Sequence, residues 1–191
     1  MTNLLREYLK QSNTSYANRG TNLENDINQS NKYYIDCKKA FIYKKPTPIK
    51  ICKVDYPSKN NKVGKITIKE AYFESPSTTD YNGIYKGRYI DFEAKETKNK
   101  TSFPLDNIHK HQIEHLRNIM ECGGIGFIIV RFTENNITYL LTTQDLLAYI
   151  DHTDKSSIPI SYFKEKAYII EESYLPRLNY LKIVDKLMEV V

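Results

Sequence analysis

The most informative pattern in the chain is an alternation of apolar and charged side chains near its midpoint. Six consecutive residues carry it: Ile90, Asp91, Phe92, Glu93, Ala94 and Lys95. Because successive side chains of a strand point to opposite faces, the pattern predicts a strand with one apolar face and one charged face. The stretch from Thr78 to Tyr85 predicts a preceding strand, joined to it by a turn at Lys86-Gly87. Such a hairpin would bring Asp80 alongside the charged face.

A helix is predicted before this hairpin. Thr21-Asn22-Leu23-Glu24 has the form of a capping box, in which Thr21 and Glu24 satisfy free N–H groups at a helix start. We expect the helix to run to about Lys39 and a first strand to follow at residues 40–43. The capping role of Glu24 is favoured over a direct part in chemistry.

Residues 46–73 predict a long hairpin that is too polar to form a core. Pro46 and Pro48 lack an N–H and interrupt regular pairing before it. Its strands are expected at residues 49–56 and 63–73, where apolar and polar positions mix. The hairpin is either a loose excursion or an arm that reaches a charged partner. The second interpretation is favoured by its lysines, Lys50, Lys53, Lys59, Lys62, Lys65 and Lys69.

The second half of the chain predicts the rest of an α/β domain. A helix is expected from residue 107 or 108 to Cys122, with Ile108 and Leu116 on its apolar face. Gln112 shares that face, so it needs a polar partner: either backbone or the carboxylates of the neighbouring sheet. The near-continuous apolar run at residues 126–132 predicts a strand buried on both faces. A strand at 138–141, a short helix from residue 143 and a final helix at 178–189 complete a mixed sheet flanked by helices.

Charge adds a partner to this picture. The net charge is +5, but residues 1–133 carry +8 and residues 134–191 carry −3. A basic part with interleaved tyrosines favours a polyanion, with nucleic acid first. The three cysteines, Cys37, Cys52 and Cys122, are odd in number and far apart, so we expect small buried or half-buried thiols. There is no apolar run of membrane-spanning length and no signal-peptide pattern, which predicts a cytoplasmic protein without a membrane partner.

Asp80, Glu93 and Lys95 are the candidate catalytic groups. Two carboxylates and a lysine at one sheet edge suit a divalent cation and a phosphate, and Asp-x12-Glu-x-Lys is the pattern of the PD-(D/E)xK nuclease superfamily. A solvated strand is the alternative for these charges. His111 and His115 share a helix face, but lack the partners of a closed zinc site, so a solvated face or phosphate contacts are favoured.

Several longer motifs resemble the RecU family of Holliday junction resolvases over about residues 18–190. In order, they are Asn18-Arg19-Gly20, Leu23-Glu24-x-Asp26-Ile27-Asn28, Lys45-Pro46-Thr47-Pro48-Ile49, Val54-Asp55-Tyr56-Pro57, Glu70-Ala71-Tyr72-Phe73, Ser77-Thr78-Thr79-Asp80-Tyr81-Asn82-Gly83, Asp91-Phe92-Glu93-Ala94-Lys95-Glu96-Thr97 and His109-x-His111-Gln112.

The resemblance implies a restriction-endonuclease-like fold and a homodimer that cuts four-way DNA junctions by paired nicks, with Mg²⁺ as cofactor and Mn²⁺ as a substitute. By matching motif positions, it assigns metal-site roles to Thr78, Asp80, Glu93 and Gln112, and a transition-state role to Lys95. The basic hairpin at about 46–73 matches the stalk of the family. The family role also implies a nucleoid-associated location, with recombinase or branch-migration proteins as partners.

The expected organisation is a flexible arm at residues 1–17 and a nuclease domain at 18–191. The expected DNA-contacting side chains are Arg19, Lys45, Lys50, Lys53, Lys59, Lys62, Lys65, Lys69, Lys98 and Lys100. Two alternatives stay open: a sequence-specific endonuclease of the same fold, and a junction-binding recombination protein without catalytic activity. Asp91 shares the charged face, where a supporting hydrogen-bond role is as well founded as a catalytic one.

Overall fold

A mixed six-stranded sheet forms the centre of the protein. The computed structural model describes residues 22–56, 66–73 and 78–189, so the arm predicted at 1–17 lies outside the described residues. In spatial order the strands are β1 (Phe41–Lys44), β4 (Tyr81–Tyr85), β5 (Arg88–Thr97), β7 (Ile125–Phe132), β8 (Ile137–Thr142) and β10 (Tyr168–Ile169). Only the central β5–β7 pair is parallel. The predicted mixed sheet is confirmed.

The helices cover both faces of this sheet. They are α1 (Leu23–Asp36), α2 (Lys110–Glu121), α3 (Thr143–Asp151), α4 (Ile160–Lys166) and α5 (Leu181–Glu189), with short 3-10 turns at Leu105–Asn107 and Thr133–Asn135. The α1 and α5 face packs Leu23, Ile27, Tyr34, Phe92, Phe127, Tyr180 and Val184. The opposite face packs Leu116, Ile128, Val130, Phe132, Leu146 and Phe163. The β7 strand is buried on both sides because each face has its own apolar cluster, as its apolar run predicts.

The β4–β5 hairpin is built as predicted. Lys86 and Gly87 both have positive φ, 47° and 77°, which is the backbone of a tight two-residue turn between antiparallel strands. The register pairs Tyr81 with Phe92, and the Phe92 ring stacks between Tyr81 and Phe127 at centroid distances of 4.9 and 4.8 Å. This stack fixes the apolar face of β5, so Asp91 and Glu93 must point to the other side.

Two small antiparallel sheets accompany the main one. β2 (Ile49–Asp55) pairs with β3 (Thr67–Phe73), and β6 (Ser102–Pro104) pairs with β9 (Ser157–Pro159). Every side chain of β2 is exposed except Val54, which is half-buried. The predicted basic hairpin is therefore present as a separate two-stranded unit outside the main core, while its turn lies outside the described residues.

Several predicted boundaries are wrong in detail. The N-cap of α1 is Asn22, whose side chain accepts from the Asn25 N–H at 3.0 Å, so the helix is capped one residue later than predicted, and Thr21 lies outside the described residues. The same helix ends at Asp36, before a turn in which Lys38 adopts φ 53°. Ile108 precedes α2, and α5 begins at Leu181.

The cysteine prediction is also wrong, because all three thiols are exposed. They lie at surface positions at or near the ends of helices α1 and α2 and on β2. Among the described residues, none of the helices is long and apolar enough to cross a membrane.

Candidate active site

Asp80 and Glu93 meet at the start of β4. The Asp80 N–H donates to Glu93 Oε2 at 3.0 Å, and the Ala94 N–H donates to Asp80 Oδ2 at 3.4 Å. Asp80 lies in a bend one residue before the strand, which corrects the prediction that it belongs to the strand. Its amide is bound by a carboxylate instead of a strand carbonyl, so the two acidic side chains are held next to each other.

Lys95 completes the group on the same face of β5. Its Nζ lies 2.7 Å from Glu93 Oε1, and its side chain is 23% exposed whereas that of Glu93 is fully buried. Burial, and then the neighbouring Asp80 charge, raises the pKa of Glu93 to about 7, while Lys95 acts in the opposite direction. The solvated-strand alternative therefore fails for Glu93: its charge is buried beside a like charge.

This pair of carboxylates fits a divalent cation. Apart from the Lys95 ammonium, Glu93 Oε1 has no hydrogen-bond partner of good geometry among the described residues. An under-coordinated, buried carboxylate oxygen beside a second carboxylate is a site where a hard cation is favourable. No three His, Cys, Asp or Glu side chains within the described ranges are arranged to hold a metal. Mg²⁺ commonly uses one or two carboxylates and takes its remaining oxygens from water and substrate phosphates.

Asp80 and Lys95 line a cleft of about 200 Å³ between α1 and the β4–β5 hairpin. Its walls are formed by Asn22, Leu23, Glu24, Asp80, Tyr81, Ala94, Lys95 and Glu96. Glu96 Oε1 accepts from the Leu23 N–H at 2.8 Å, which joins the start of α1 to the end of β5. Glu24 is the residue whose position sequence analysis missed: its Oε1 pairs with Lys44 Nζ at 2.7 Å on the wall of this cleft. Local sequence gave no signal for it, because the partner lies on another element.

Gln112 and Thr78 are placed differently from the first group. Gln112 is buried at position N3 of α2, and its Oε1 accepts from the His109 N–H at 3.0 Å. The backbone partner considered in the sequence analysis is thus present, and the metal-site role of Gln112 stays a prediction. Thr78 is half-buried in the bend two residues before Asp80, so its metal-site role also stays a prediction.

A second polar cluster lies directly beside the site. Asp91 is fully buried, with Oδ2 2.8 Å from Lys45 Nζ, 3.0 Å from the Tyr89 hydroxyl and 3.2 Å from His115 Nε2. Asp91 Oδ1 accepts from the Thr79 hydroxyl. Asp91 therefore has the supporting hydrogen bonds that the sequence analysis left open, and His115 contacts a carboxylate instead of forming a histidine metal site.

The predicted DNA-contacting side chains divide into three groups. Lys50, Lys53, Lys69, Lys98 and Lys100 are exposed. Lys69 pairs with Asp55 across the β2–β3 hairpin at 2.7 Å. Arg19, Lys59, Lys62 and Lys65 lie outside the described residues. Lys45 stands apart, because its side chain is only 18% exposed and its Nζ contacts Asp91.

Comparison with known proteins decides which family this geometry belongs to. The model of one family, recombination protein U (RecU), matches residues 18–186, which include every group of the site. The chain belongs to the RecU family. Relatives named Holliday junction resolvase RecU come from Pediococcus pentosaceus (50% identical, 91% of this chain and 86% of the relative), Oceanobacillus iheyensis (50%, 93% and 90%) and Lactococcus lactis (51%, 92% and 81%).

A solved structure also matches this RecU-family chain in part. It is Hjc from Archaeoglobus fulgidus, a Holliday junction resolvase, with TM-score 0.35 and 18% identity over 49% of this chain and 72% of that one.

Proposed function

We propose that this chain is a metal-dependent endonuclease that resolves four-way DNA junctions during recombination and repair. The observation that carries the proposal is the contact between Asp80, Glu93 and Lys95 in a member of the RecU family. Relatives about half identical over most of their length bear the name of junction resolvases, which supports the same substrate for this chain.

The roles of the three side chains follow from their positions. Asp80 and Glu93 would hold Mg²⁺, or Mn²⁺ in its place, and Thr78 and Gln112 would supply further oxygen donors. The bound cation supplies Lewis acidity at the scissile phosphate and a water of lowered pKa. Lys95 keeps one ammonium at the mouth of the buried pair, where it stabilises charge on the phosphate. Glu93 remains ionised at neutral pH when a bound cation offsets the burial and the Asp80 charge that raise its pKa.

The exposed basic side chains provide the DNA contacts. Lys50, Lys53 and Lys69 of the β2–β3 hairpin are exposed, and so are Lys98 and Lys100 in the loop that follows β5. Contacts of this kind bind phosphates, so they position a junction without reading its sequence. We propose that the hairpin enters the junction and that the loop binds a neighbouring phosphate.

We propose a homodimer as the active species. Resolution needs two matched nicks in a four-way junction, and a two-fold dimer provides two sites related by symmetry. Sedimentation velocity at micromolar protein concentration tests this; a single monomeric species with and without junction DNA would contradict it. A nucleoid-associated, cytoplasmic role beside recombinase or branch-migration proteins belongs to the same proposal.

A junction cleavage assay tests the enzymatic proposal. Wild type with Mg²⁺ is expected to nick a synthetic four-way junction symmetrically. Asp80→Ala and Glu93→Ala should bind the junction with little change and fail to nick it, because each removes a carboxylate of the cation site. Glu134→Ala is the matched control, since this exposed glutamate lies in the turn between β7 and β8.

Two other outcomes would replace the proposal. Equal cutting of linear duplexes and junctions would favour a sequence-specific endonuclease of the same fold. Tight junction binding by the wild type without any nicking, at every Mg²⁺ or Mn²⁺ concentration, would favour a non-catalytic junction-binding protein.

A further inference from the structure

We propose that Lys45 and Asp91 form a positioning pair that sets Asp80 in place and ties the base of the β2–β3 hairpin to the cation site. This rests on the proposed function, because it takes Asp80 to be a ligand. In this arrangement Lys45 holds the Asp80 segment in place and does not contact a phosphate. Asp91 supports Lys45 and takes no direct part in catalysis.

Asp91 is the fixed point of this arrangement. Its side chain is fully buried on the central strand β5, two residues before Glu93. A buried carboxylate is tolerated only when it is paired and hydrogen-bonded. Asp91 meets this condition with an ammonium and two hydroxyls. Tyr89 and His115 approach it from β5 and α2, which leaves Lys45 and Thr79 as the contacts directed toward Asp80.

Lys45 contacts the Asp80 segment in two ways. Its backbone N–H donates to the Asp80 carbonyl at 2.8 Å, which extends the β1–β4 ladder by one bond. Its Nζ donates to the Thr79 hydroxyl at 2.9 Å and to Asp91 at 2.8 Å. The bend at residues 78–80 is not part of a strand, so these bonds place the Asp80 segment together with two bonds from β5: the Asp80 N–H donates to Glu93, and the Ala94 N–H donates to the Asp80 carboxylate.

The place of Lys45 in the chain gives the pair its second role. Lys45 follows the end of β1 and directly precedes Pro46, and β2 begins at Ile49. The chain that leaves for the hairpin therefore starts from a residue bonded to Asp80. A force on β2 from bound DNA would reach the cation site through this residue, and the buried Asp91 charge resists its displacement.

Lys45→Met distinguishes a positioning role of Lys45 from a phosphate contact by its effect on the salt dependence of junction binding. Loss of a phosphate contact lowers the slope of log affinity against log salt by about one. Loss of a positioning residue leaves junction affinity within about twofold and its salt slope unchanged. It lowers the single-turnover cleavage rate of the bound complex by roughly tenfold to a hundredfold, since ligand groups displaced by about 1 Å cost that much. It also raises the Mg²⁺ concentration at half-maximal rate.

Lys45→Met leaves the buried Asp91 carboxylate without its ammonium partner and could therefore fold poorly. A second variant keeps the test decisive in that case. The double variant Lys45→Met/Asp91→Leu removes both charges and is expected to fold while cleaving slowly and requiring more Mg²⁺. Lys182→Met is the control; it breaks an exposed pair with Glu171 on the surface and should behave as wild type.

Wild-type cleavage and Mg²⁺ requirement in both Lys45 variants would overturn the proposal. So would weakened binding with a reduced salt slope and normal cleavage of the bound complex, which would return Lys45 to the DNA interface. The underlying function fails separately: if Asp80→Ala nicks as well as wild type, Asp80 is no ligand, whatever the Lys45 variants do.

Discussion

The stability of the metal-free protein should depend on pH through Glu93, and Glu93→Gln isolates that dependence. The amide keeps the size of the side chain and an oxygen for the Asp80 N–H, which lies 3.0 Å from Glu93 Oε2. It removes the buried charge and the 2.7 Å ion pair with Lys95. The perturbation is thus confined to one titrating group.

The magnitude follows from the pKa of Glu93. Burial and the Asp80 charge raise it from 4.5 to about 7 in the folded protein. The folded state then holds the proton more tightly than the unfolded chain, so the stabilising contribution of this group is fully present below about pH 4.5 and is lost as the pH rises through 7. At about 1.4 kcal/mol per pKa unit, the loss is about 3 kcal/mol.

Thermal unfolding between pH 4 and 8, without divalent cation, measures this loss. For a domain of this size, about 3 kcal/mol corresponds to roughly 6–12 °C in Tm. The remaining ionisable groups are the same in wild type and Glu93→Gln, so their contribution to the pH profile cancels in the comparison. The wild-type Tm minus the variant Tm is therefore expected to fall by that amount between pH 4.5 and 7, and then to level off.

Added Mg²⁺ supplies the second arm of the experiment. A cation that binds the folded carboxylates restores stability by mass action, so Mg²⁺ at pH 8 should raise the Tm of wild type more than that of Glu93→Gln. The protection should fade toward pH 5, where a proton competes for Glu93. Parallel pH profiles for the two proteins would refute the argument that Glu93 carries a buried, repelled charge.

Two further changes test the hairpin and the sheet. Lys50→Glu with Lys53→Glu should weaken junction binding and lower the slope of log affinity against log salt by roughly two in fluorescence anisotropy titrations, because each exposed lysine releases about one counterion equivalent. Lys155→Glu with Lys164→Glu is the charge-matched control, since both of these lysines are exposed and lie outside the hairpin. Equal effects of the two pairs would show that the hairpin has no special role in binding. Gly83→Ala should destabilise the protein by about 1–3 kcal/mol in urea unfolding, because an added Cβ would lie 2.1 Å from the Phe41 carbonyl oxygen in the neighbouring strand. An unchanged urea midpoint of unfolding would show that β1 moves away without cost.

The local pattern of the sequence was sufficient to predict those features that a single strand or turn determines. The period-two alternation of β5 determined that Glu93 and Lys95 share a face with Asp91, and Lys86-Gly87 determined the turn that brings Asp80 back to them. The apolar run of β7 determined the buried centre of the sheet. Long motifs determined the family, which the comparison confirmed. These features depend on strand geometry and turn conformation, which a few neighbouring residues set.

Only the tertiary structure decided what the single polar side chains do. Lys45 and Asp91 are 46 residues apart in the chain, and Leu23 and Glu96 are 73 apart. Lys45 has the same charge as the exposed lysines that follow it, but its Nζ contacts the buried Asp91 carboxylate of β5, which lies beyond β4 in the sheet. Glu24 was expected to cap its own helix, and its carboxylate forms an ion pair with Lys44. The physical reason is that the partner of a charged side chain depends on its burial and on which elements pack against it. The local sequence pattern contains neither kind of information.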